Sequence, residues 1–486
     1  MKLTEQAPFH QTETEGGTFR DKRHQARLAE VLRVAADHIG ETIPAACTGW
    51  GETKATYEFL NGDKNGITEW NILSGHFAAT GKRIAAEPGM VLVPHDTTDC
   101  VFRRSASETD EEGNCKPVYQ KNVDGTVKVR TKFCVHLHIS YAMTPDGRQL
   151  GIASAQVYTR EKFGGTAALI RSESPTRLRP GHKESIRWID GLGQATDLCG
   201  DPKKCVHIAD RESDSYEFID AACKKGTNYL IRIKNDRSTD EEMHVSELMK
   251  LSAVRGVHLV RVKDKEGNDD VAKLEIRARV VNILPPVRKR KDLEPLVATV
   301  IYAEEKGEPK KRERISWKLM TNLPVRSRKH AIKMLDWYAL RWKIEVFNKA
   351  LKSGCNTEGS KLRTAQRLTN LIAINCIVAW RVCKLTMLNR AQPNGPPEEH
   401  LTQQEMEILD EQVDDMPGTT GRKTLGDYII KIAKLGGYLA RKSDAPPGNI
   451  VMKRGVRVLM LLCYADRGEF KRRRQAATAG GTCRGR

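Results

Sequence analysis

Long apolar runs and paired cysteines are scarce in this sequence of 486 residues. The longest apolar stretch, Leu371–Trp380, contains Asn375 and is far shorter than the roughly 20 residues that a membrane-spanning helix needs. The opening residues, MKLTEQAPFHQ, lack the apolar core of a signal peptide. The cysteines occur singly with no CxxC pair, so buried thiols are expected rather than disulfides. We therefore expect a soluble, intracellular protein that does not contact a membrane.

Acidic residues are in short supply relative to basic ones. The chain has 81 Lys and Arg residues against 62 Asp and Glu residues, which gives a formal net charge of +19 and a pI near 9.4. This excess predicts attraction to a polyanion, usually nucleic acid, although a soluble basic enzyme without such a partner has the same composition. At about 150 residues per domain, the length predicts roughly three domains.

The first and last parts of the chain have helical patterns. Apolar residues recur at helical spacing over Arg20–Ile39, and a second short helix is predicted at Glu52–Leu60. Further helices are predicted at Leu335–Lys352 and Leu368–Leu388, before a loop rich in Pro and Gly at Gln392–Pro397. The remainder is predicted to be a small helical region with a basic tail.

The middle of the chain has the pattern of strands. Pro94 lacks a backbone N–H, so we expect regular strand pairing to stop near Val93. The runs between 229 and 320 predict a β-rich insertion whose basic loops contact nucleic acid. The predicted strands are Met90–Val93, Phe133–Tyr141, Leu150–Tyr158, Cys205–Ala209, Tyr229–Ile233, Val257–Val262, Leu274–Ile283, Val297–Tyr302 and Ile315–Met320, with a helix at Ser213–Lys224.

Two acidic residues follow predicted strands. Asp96 comes shortly after Met90–Val93, and Asp210 directly follows Cys205–Ala209. Carboxylates at the ends of neighbouring strands can converge at one edge of a sheet, where they could hold divalent metal ions. Single acids after strands also cap turns and helices, so each position is a weak signal by itself.

The predicted helix Leu335–Lys352 has a charged face opposite an apolar one. At about 100° per residue, its polar positions fall within a sector of roughly 60°. The helix can bury its other side and present a carboxylate flanked by a phenol, a guanidinium and an ammonium. A charged helix face is usually just solvated, so the face alone does not establish a site. The four polar positions are Tyr338, Arg341, Glu345 and Lys352.

The spacing of these four residues resembles a known signature. The pattern Tyr338-x2-Arg341-x3-Glu345-x6-Lys352 is similar to the Y-R-E-K signature of insertion-sequence transposases related to that of transposon Tn-five. The basic N-terminal helix, the β-rich insertion and the segment Leu435–Tyr438 are similar to that family as well. The resemblance therefore covers most of the chain.

The resemblance extends to the two acids that follow strands. Asp96 in Asp-Thr-Thr and Asp210 in Asp-Arg-Glu resemble the first two acids of the family's DDE triad, and Glu345 resembles the third. The resemblance implies that these three residues are catalytic and bind two Mg²⁺ ions, for which Mn²⁺ can substitute. Trp317 lies where the family has a tryptophan that inserts into or stacks on DNA.

The resemblance also implies the fold and its division. An α/β fold is expected, with an RNase H-like mixed sheet flanked by helices and interrupted by a β-rich insertion at 229–320. Residues 1–70 would form an N-terminal helical DNA-binding domain, residues 71–370 the catalytic core, and residues 371–486 a C-terminal helical dimerisation domain with a basic tail.

Further residues are expected to contact DNA. Tyr338, Arg341 and Lys352 can each donate hydrogen bonds to phosphate oxygens near the scissile bond. Trp317 offers a flat surface for a base extruded from the stack. Arg232, Lys349 and Arg27 are also expected to contact DNA.

The function implied by the resemblance is cut-and-paste DNA transposition in a bacterial cytoplasm, at the nucleoid. A homodimer would bind the terminal inverted repeats in double-stranded DNA, cleave them by two-metal phosphoryl transfer and join the 3′-hydroxyl ends to target DNA. In this family the same site can form and reopen a hairpin. Two alternatives stay open: a non-catalytic DNA-binding relic or inhibitor of transposition, and a cellular RNase H-like nuclease.

Overall fold

The computed structural model describes residues 7–62, 66–102, 115–121, 127–159, 186–416 and 421–480. Helices lie at both ends of the chain and around a central sheet. Within the described residues, the α-helices are Phe9–Thr12, Lys22–Asp37, Ile43–Ala46, Trp50–Leu60, Glu69–Ala86, Ile186–Cys199, Tyr216–Lys224, Val245–Leu251, Arg328–Ala339, Trp342–Lys349, Ala365–Ala391, Gln403–Gln412, Leu425–Leu435 and Asn449–Gly480.

The strands form one mixed sheet. The strands are β1 Val91–Phe102, β2 Cys115–Lys121, β3 Val127–Met143, β4 Gln149–Tyr158, β5 Cys205–Ala209, β6 Asn228–Arg232, β7 Gly256–Lys263, β8 Asp269–Ile283, β9 Leu296–Glu305 and β10 Ser316–Thr321. The order in the sheet is β2-β3-β1-β5-β6-β10-β9-β8-β7, and β4 also pairs with β3.

The centre of this sheet has RNase H-like topology. Strand β1 is antiparallel to β3 and parallel to β5, and β5 is in turn parallel to β6. Side chains of β6 alternate between the two faces: Leu230 joins one hydrophobic cluster, and Tyr229 and Ile231 join the other. Helices cover both faces, as sheets with parallel strands require. The mixed sheet flanked by helices confirms the predicted fold class.

The predicted insertion extends the same sheet. Strand β10 pairs antiparallel with β6, and β9, β8 and β7 follow outward as a meander. The basic run 288–291 lies in a turn between β8 and β9, and its Arg288, Arg290 and Lys291 are exposed. This turn is therefore accessible to a polyanion.

The expectation that pairing stops near Val93 is wrong. Strand β1 runs through Pro94 to Phe102, and its register with β3 is the same before and after the proline, with Leu92 opposite Met143 and His95 opposite Ser140. Proline removes only one ladder donor, and strands on both sides hold β1 in place. Asp96 therefore lies inside a strand rather than in a loop after it.

The prediction of one continuous helix over Leu335–Lys352 is also wrong. One helix ends at Ala339 and the next begins at Trp342, with i→i−3 hydrogen bonds from Arg341 to Tyr338 and from Ile344 to Arg341. A π-helical turn, Ala350–Gly354, follows and carries Lys352. Tightened and widened turns of this kind often occur at functional sites. Periodicity over the whole segment did not distinguish them from one regular helix.

The helix Ala365–Ala391, called the core helix below, is buried along most of its length. Among the described residues it alone is long and apolar enough to cross a membrane, and 89% of its most apolar window is buried inside the fold. Such burial is typical of the central helix of a globular protein. The expected division at 370/371 falls within this helix, and the division into domains stays a prediction.

Candidate active site

Asp96 and Asp210 reach the same edge of the sheet because β1 and β5 are parallel neighbours. Pro94 pairs with Ile208, and each acid lies two residues beyond that pair. The next residue back from Asp96, His95, points into the core on the opposite face and is fully buried. Asp210 also caps the short helix Arg211–Ser213, since its carboxylate accepts a 2.8 Å hydrogen bond from the Glu212 backbone N–H.

Glu345 approaches this edge from the helix Trp342–Lys349. The Arg341 guanidinium lies between it and the first acid: Arg341 Nη2 is 2.6 Å from Glu345 Oε1, and Arg341 Nη1 is 3.8 Å from Asp96 Oδ1. The helix break just before Trp342 puts Arg341 at the helix N-cap position, from which it reaches both carboxylates. Arg341 therefore links two of the three predicted catalytic acids.

The acids affect one another electrostatically. The pKa of Asp96 is raised to about 7, chiefly by burial. The positive charge of Arg341 opposes this rise, and the negative charges of the other acids, Asp210, Glu345 and Glu212, add to it. The single guanidinium of Arg341 does not offset burial and the neighbouring negative charges together. Glu212 is a fourth acid at this edge, which the sequence analysis did not single out.

The chemistry of these side chains fits a hard divalent cation, although the acids are not arranged as a metal-binding cluster. All candidate ligands are carboxylate oxygens, which Mg²⁺ and Mn²⁺ prefer, and the other acids lie close enough to Asp96 for their negative charges to raise its pKa. Within the described residues, no group of three or more His, Cys, Asp or Glu side chains is placed to hold a metal ion. Arg341 accounts for this, because its cationic group occupies the space between Asp96 and Glu345.

Asn348 is a site residue that the sequence analysis missed. Its Nδ2 donates a 2.7 Å hydrogen bond to Asp96 Oδ2, and the side chain is 6% exposed. Its Oδ1 is buried and has no hydrogen-bond partner among the described residues, so an acceptor is left beside the Asp96 carboxylate. Its position one turn after Glu345 was the available signal, but asparagine is common on helix surfaces.

Tyr338, near the end of the helix Arg328–Ala339, is close enough to Asp210 for the charge of this acid to act on its phenol. It is buried, and burial raises the pKa of its phenol, while the charges of Arg341 and Arg232 lower it and that of Asp210 raises it. Arg232 at the end of β6 donates a 3.2 Å hydrogen bond from Nη2 to the Ser316 carbonyl. The Trp317 ring contacts Tyr338 edge-on at 6.1 Å and is partly buried against the core. These residues therefore line the Asp210 side of the site.

The remaining predicted DNA contacts lie farther out. Lys352 lies on the π-helical turn Ala350–Gly354, and its positive charge acts to lower the pKa of Cys100, four residues beyond Asp96 along β1, against the larger effect of burial. Lys349 is exposed on the helix that carries Glu345, and Arg27 is exposed on the N-terminal helix Lys22–Asp37. Trp342 is 63% exposed beside Arg341. It offers a stacking surface that the sequence analysis did not consider.

An RNase H-like sheet in which two parallel central strands bring acids to one edge is the arrangement of enzymes that cleave or transfer phosphodiester bonds in nucleic acids. Two family models assign the class more closely. Residues 6–64 match the transposase DNA-binding family, and residues 181–381 match the transposase DDE domain. The chain therefore carries both domains of a DDE-type DNA transposase, an enzyme class that generally depends on divalent metal ions. The second match includes Asp210 and Glu345, whereas Asp96 precedes it.

Among solved structures, a nuclease matches part of the chain. The NurA nuclease from Sulfolobus solfataricus shares 8% identity, over 59% of this chain and 85% of that chain, with a TM-score of 0.24. A likeness at this level supports no argument about fold or function.

Proposed function

We propose that this protein is a cut-and-paste transposase of the Y-R-E-K type that cleaves transposon ends and joins them to target DNA. The observation that carries the proposal is the meeting of Asp96 and Glu345 at one arginine, beside the strand end that bears Asp210. These residues come from three distant parts of the chain, which a capping or solvation role does not require.

Metal binding would use the three carboxylates at this edge. When bound, two Mg²⁺ ions would activate the attacking oxygen and stabilise the leaving one, and Mn²⁺ is a chemically suitable substitute. Arg341 leaves the space between Asp96 and Glu345 when its guanidinium turns to a DNA phosphate, for which its donors are well shaped. Tyr338 and Lys352 would donate further hydrogen bonds to phosphate oxygens.

The larger assembly follows from the same proposal. The segment 1–70 binds the terminal inverted repeats, with Arg27 among its phosphate contacts, and Arg232 and Lys349 contact DNA near the cut. Trp317 holds an extruded base during hairpin formation. Two copies act on paired ends, with the C-terminal helices as the dimer interface, in the bacterial cytoplasm at the nucleoid.

The test is a cleavage and joining assay on the inverted repeats that flank the coding sequence. We expect the substitutions Asp96→Ala, Asp210→Ala and Glu345→Ala each to abolish cleavage in Mg²⁺ and joining of a pre-cleaved, labelled 3′-hydroxyl end. End binding should persist, because the acids repel phosphate rather than bind it. Glu217→Ala, on the helix after Asp210, is the control and should retain activity.

Other outcomes would contradict the proposal. Cleavage retained in all three variants would overturn the site assignment. Binding of ends without cleavage by the unaltered chain would support the non-catalytic relic or inhibitor, and cleavage without end specificity or joining would support a cellular nuclease.

A further inference from the structure

A cavity lies away from the three predicted catalytic acids. Its volume is about 350 Å³, and its walls come from the N-terminal segment 7–15, the helix Glu69–Ala86, the start of β4, the core helix and residues 399–405. Asp96, Asp210, Glu345 and Arg341 do not line it. This volume is within the range of pockets that bind small molecules.

Most charges on the cavity wall are already paired. Arg83 Nη1 is 2.8 Å from Glu13 Oε1, Arg148 Nη2 is 2.8 Å from Glu87 Oε2, and Arg381 pairs with Glu405. Lys82 pairs with Glu15 at 3.2 Å near the rim, where both side chains are largely exposed. These pairs leave little net charge on that part of the wall.

Lys384 is the exception among the cations. Within the described residues it has no ion pair and no hydrogen bond, and its Nζ lies 5.2 Å from the Trp380 ring centroid. Burial lowers the pKa of Lys384 to about 8, and the charges of Arg83 and Arg381 contribute in the same direction against Glu13 and Glu405. An ammonium that is partly withdrawn from water and has no anionic partner is destabilised, and a bound anion would remove that cost.

Three further polar side chains on the wall have unpaired atoms. Within the described residues, Gln149 Nε2, Trp380 Nε1 and both ring nitrogens of His400 are buried without a hydrogen-bond partner. Gln149 is 4% exposed and Trp380 1% exposed, and the Gln149 Oε1 already accepts a hydrogen bond from Tyr141. Unpaired buried polar groups are rare, and these three residues line the same cavity as Lys384.

We infer that this cavity binds a small molecule through a phosphate group. Lys384, Gln149 and Trp380 supply donors and no acceptor at their unpaired atoms, which matches an oxyanion, and His400 can supply one more. The cavity is larger than a phosphate ion, and Phe9 and Trp380 line it, so a mononucleotide also fits its chemistry. Because segment 7–15 forms one wall, binding would also fasten this segment to the core.

The experiment is isothermal titration calorimetry of the full chain with inorganic phosphate and, separately, with adenosine monophosphate, supported by thermal melting. We expect saturable one-site binding and a rise in Tm with ligand, because a ligand that binds the folded state stabilises it. Tighter binding of the mononucleotide would show that the cavity binds a nucleotide. Equal affinity for both ligands would show that it recognises the phosphate group alone.

Variants decide whether this cavity is the site. Lys384→Met should weaken binding at least tenfold, and the near-isosteric Gln149→Glu, which adds a negative charge, should do the same if Lys384→Met fails to fold. Lys82→Met, at the rim and already paired, should change affinity less than twofold. Absence of binding by the unaltered chain at millimolar ligand, or unchanged affinity in folded Gln149→Glu, would overturn the inference.

Discussion

Arg341 and Asn348 determine how the Asp96 carboxylate is held. Arg341 brings a positive charge between Asp96 and Glu345, and Asn348 fixes one Asp96 oxygen by a hydrogen bond from a buried side chain. The two contacts differ in kind: the guanidinium is a cation that a metal ion would have to replace, whereas the neutral amide can stay in place when a metal binds. Asn348 can therefore hold Asp96 both before and after a metal ion binds.

The substitution Asn348→Ala should raise the metal requirement of cleavage. Removing the donor frees the Asp96 carboxylate to turn, and loss of such a partner typically lowers metal affinity or activity by about tenfold or more. The measurement is the Mg²⁺ concentration at half-maximal cleavage rate. Ser353→Ala, exposed on the following turn, is the control, and an unchanged Mg²⁺ dependence in Asn348→Ala would exclude the role.

At the scale of elements, the loop after β5 is fastened to the loop after β6. The Asp214 carboxylate, fully buried, accepts hydrogen bonds of 2.6 and 2.8 Å from the Lys234 and Asn235 backbone N–H groups, and Arg237 Nη2 lies 2.6 Å from its Oδ1. This contact joins the segment that begins with Asp210 to the segment that follows Arg232. The Asp210 side of the site is therefore held by its neighbouring loop as well as by the sheet.

The substitution Asp214→Ala should destabilise the protein by about 3 kcal/mol, because the largely buried Arg237 guanidinium loses its counter-ion and two backbone donors lose their acceptor. Urea unfolding followed by circular dichroism measures the change. The control is Asp292→Ala, in an exposed turn between β8 and β9, which should change the free energy of unfolding by less than about 0.5 kcal/mol. A similarly small change in Asp214→Ala would show that this contact does not hold the loops.

At the scale of the whole molecule, the N-terminal segment is anchored to the core through Glu13. This buried carboxylate contacts His76 Nδ1 and Arg83, and His76 Nε2 accepts a hydrogen bond from the Ile152 backbone N–H on β4. Burial acts to raise the pKa of Glu13, but the charges and hydrogen bonds of His76 and Arg83 outweigh it and lower the pKa from 4.5 to about 2. The ionised form of Glu13 therefore stabilises the folded chain.

The stabilisation by Glu13 should depend on pH with a definite sign. Because its pKa is lower in the folded state, the contribution is complete above pH 4.5 and is lost as the pH falls towards 2. We expect Glu13→Gln to cost about 3 kcal/mol at neutral pH, with the difference from the unaltered chain shrinking in acid. Urea unfolding at a series of pH values measures this. Glu15→Gln, an exposed neighbour, should cost less than about 1 kcal/mol at every pH.

The net positive charge of the molecule should make DNA binding strongly dependent on salt. Arg27 is exposed on the N-terminal helix, and if it contacts a phosphate, Arg27→Ala should lower the slope of log affinity against log salt by about 0.9. Arg23 on the same helix is already neutralised by Asp21 at 2.7 Å, so Arg23→Ala should change the slope less. Fluorescence anisotropy with an end fragment at several salt concentrations gives both slopes. Equal slopes for Arg27→Ala and the unaltered chain would show that Arg27 does not contact DNA phosphates.

Local sequence determined the elements and the signature. The strand Cys205–Ala209 has the predicted bounds, because a short apolar run between turn residues specifies a buried strand on its own. Arg341 and Glu345 were predicted to share one helix face, and they contact each other because residues four apart along such a segment are neighbours. These features depend on residues close together in the chain, and the sequence contains that information directly.

Tertiary structure alone decided how the distant residues meet. The β1–β5 register brings Asp96 beside Asp210, the flanking strands carry β1 through Pro94, and the packing of the broken helix places Arg341 and Asn348 on Asp96. Ladder partners and side-chain contacts between remote segments have no periodicity of their own in the sequence. They are set by which surfaces pack together when the chain folds, so the sequence could name the three acids while only the folded chain shows what separates and holds them.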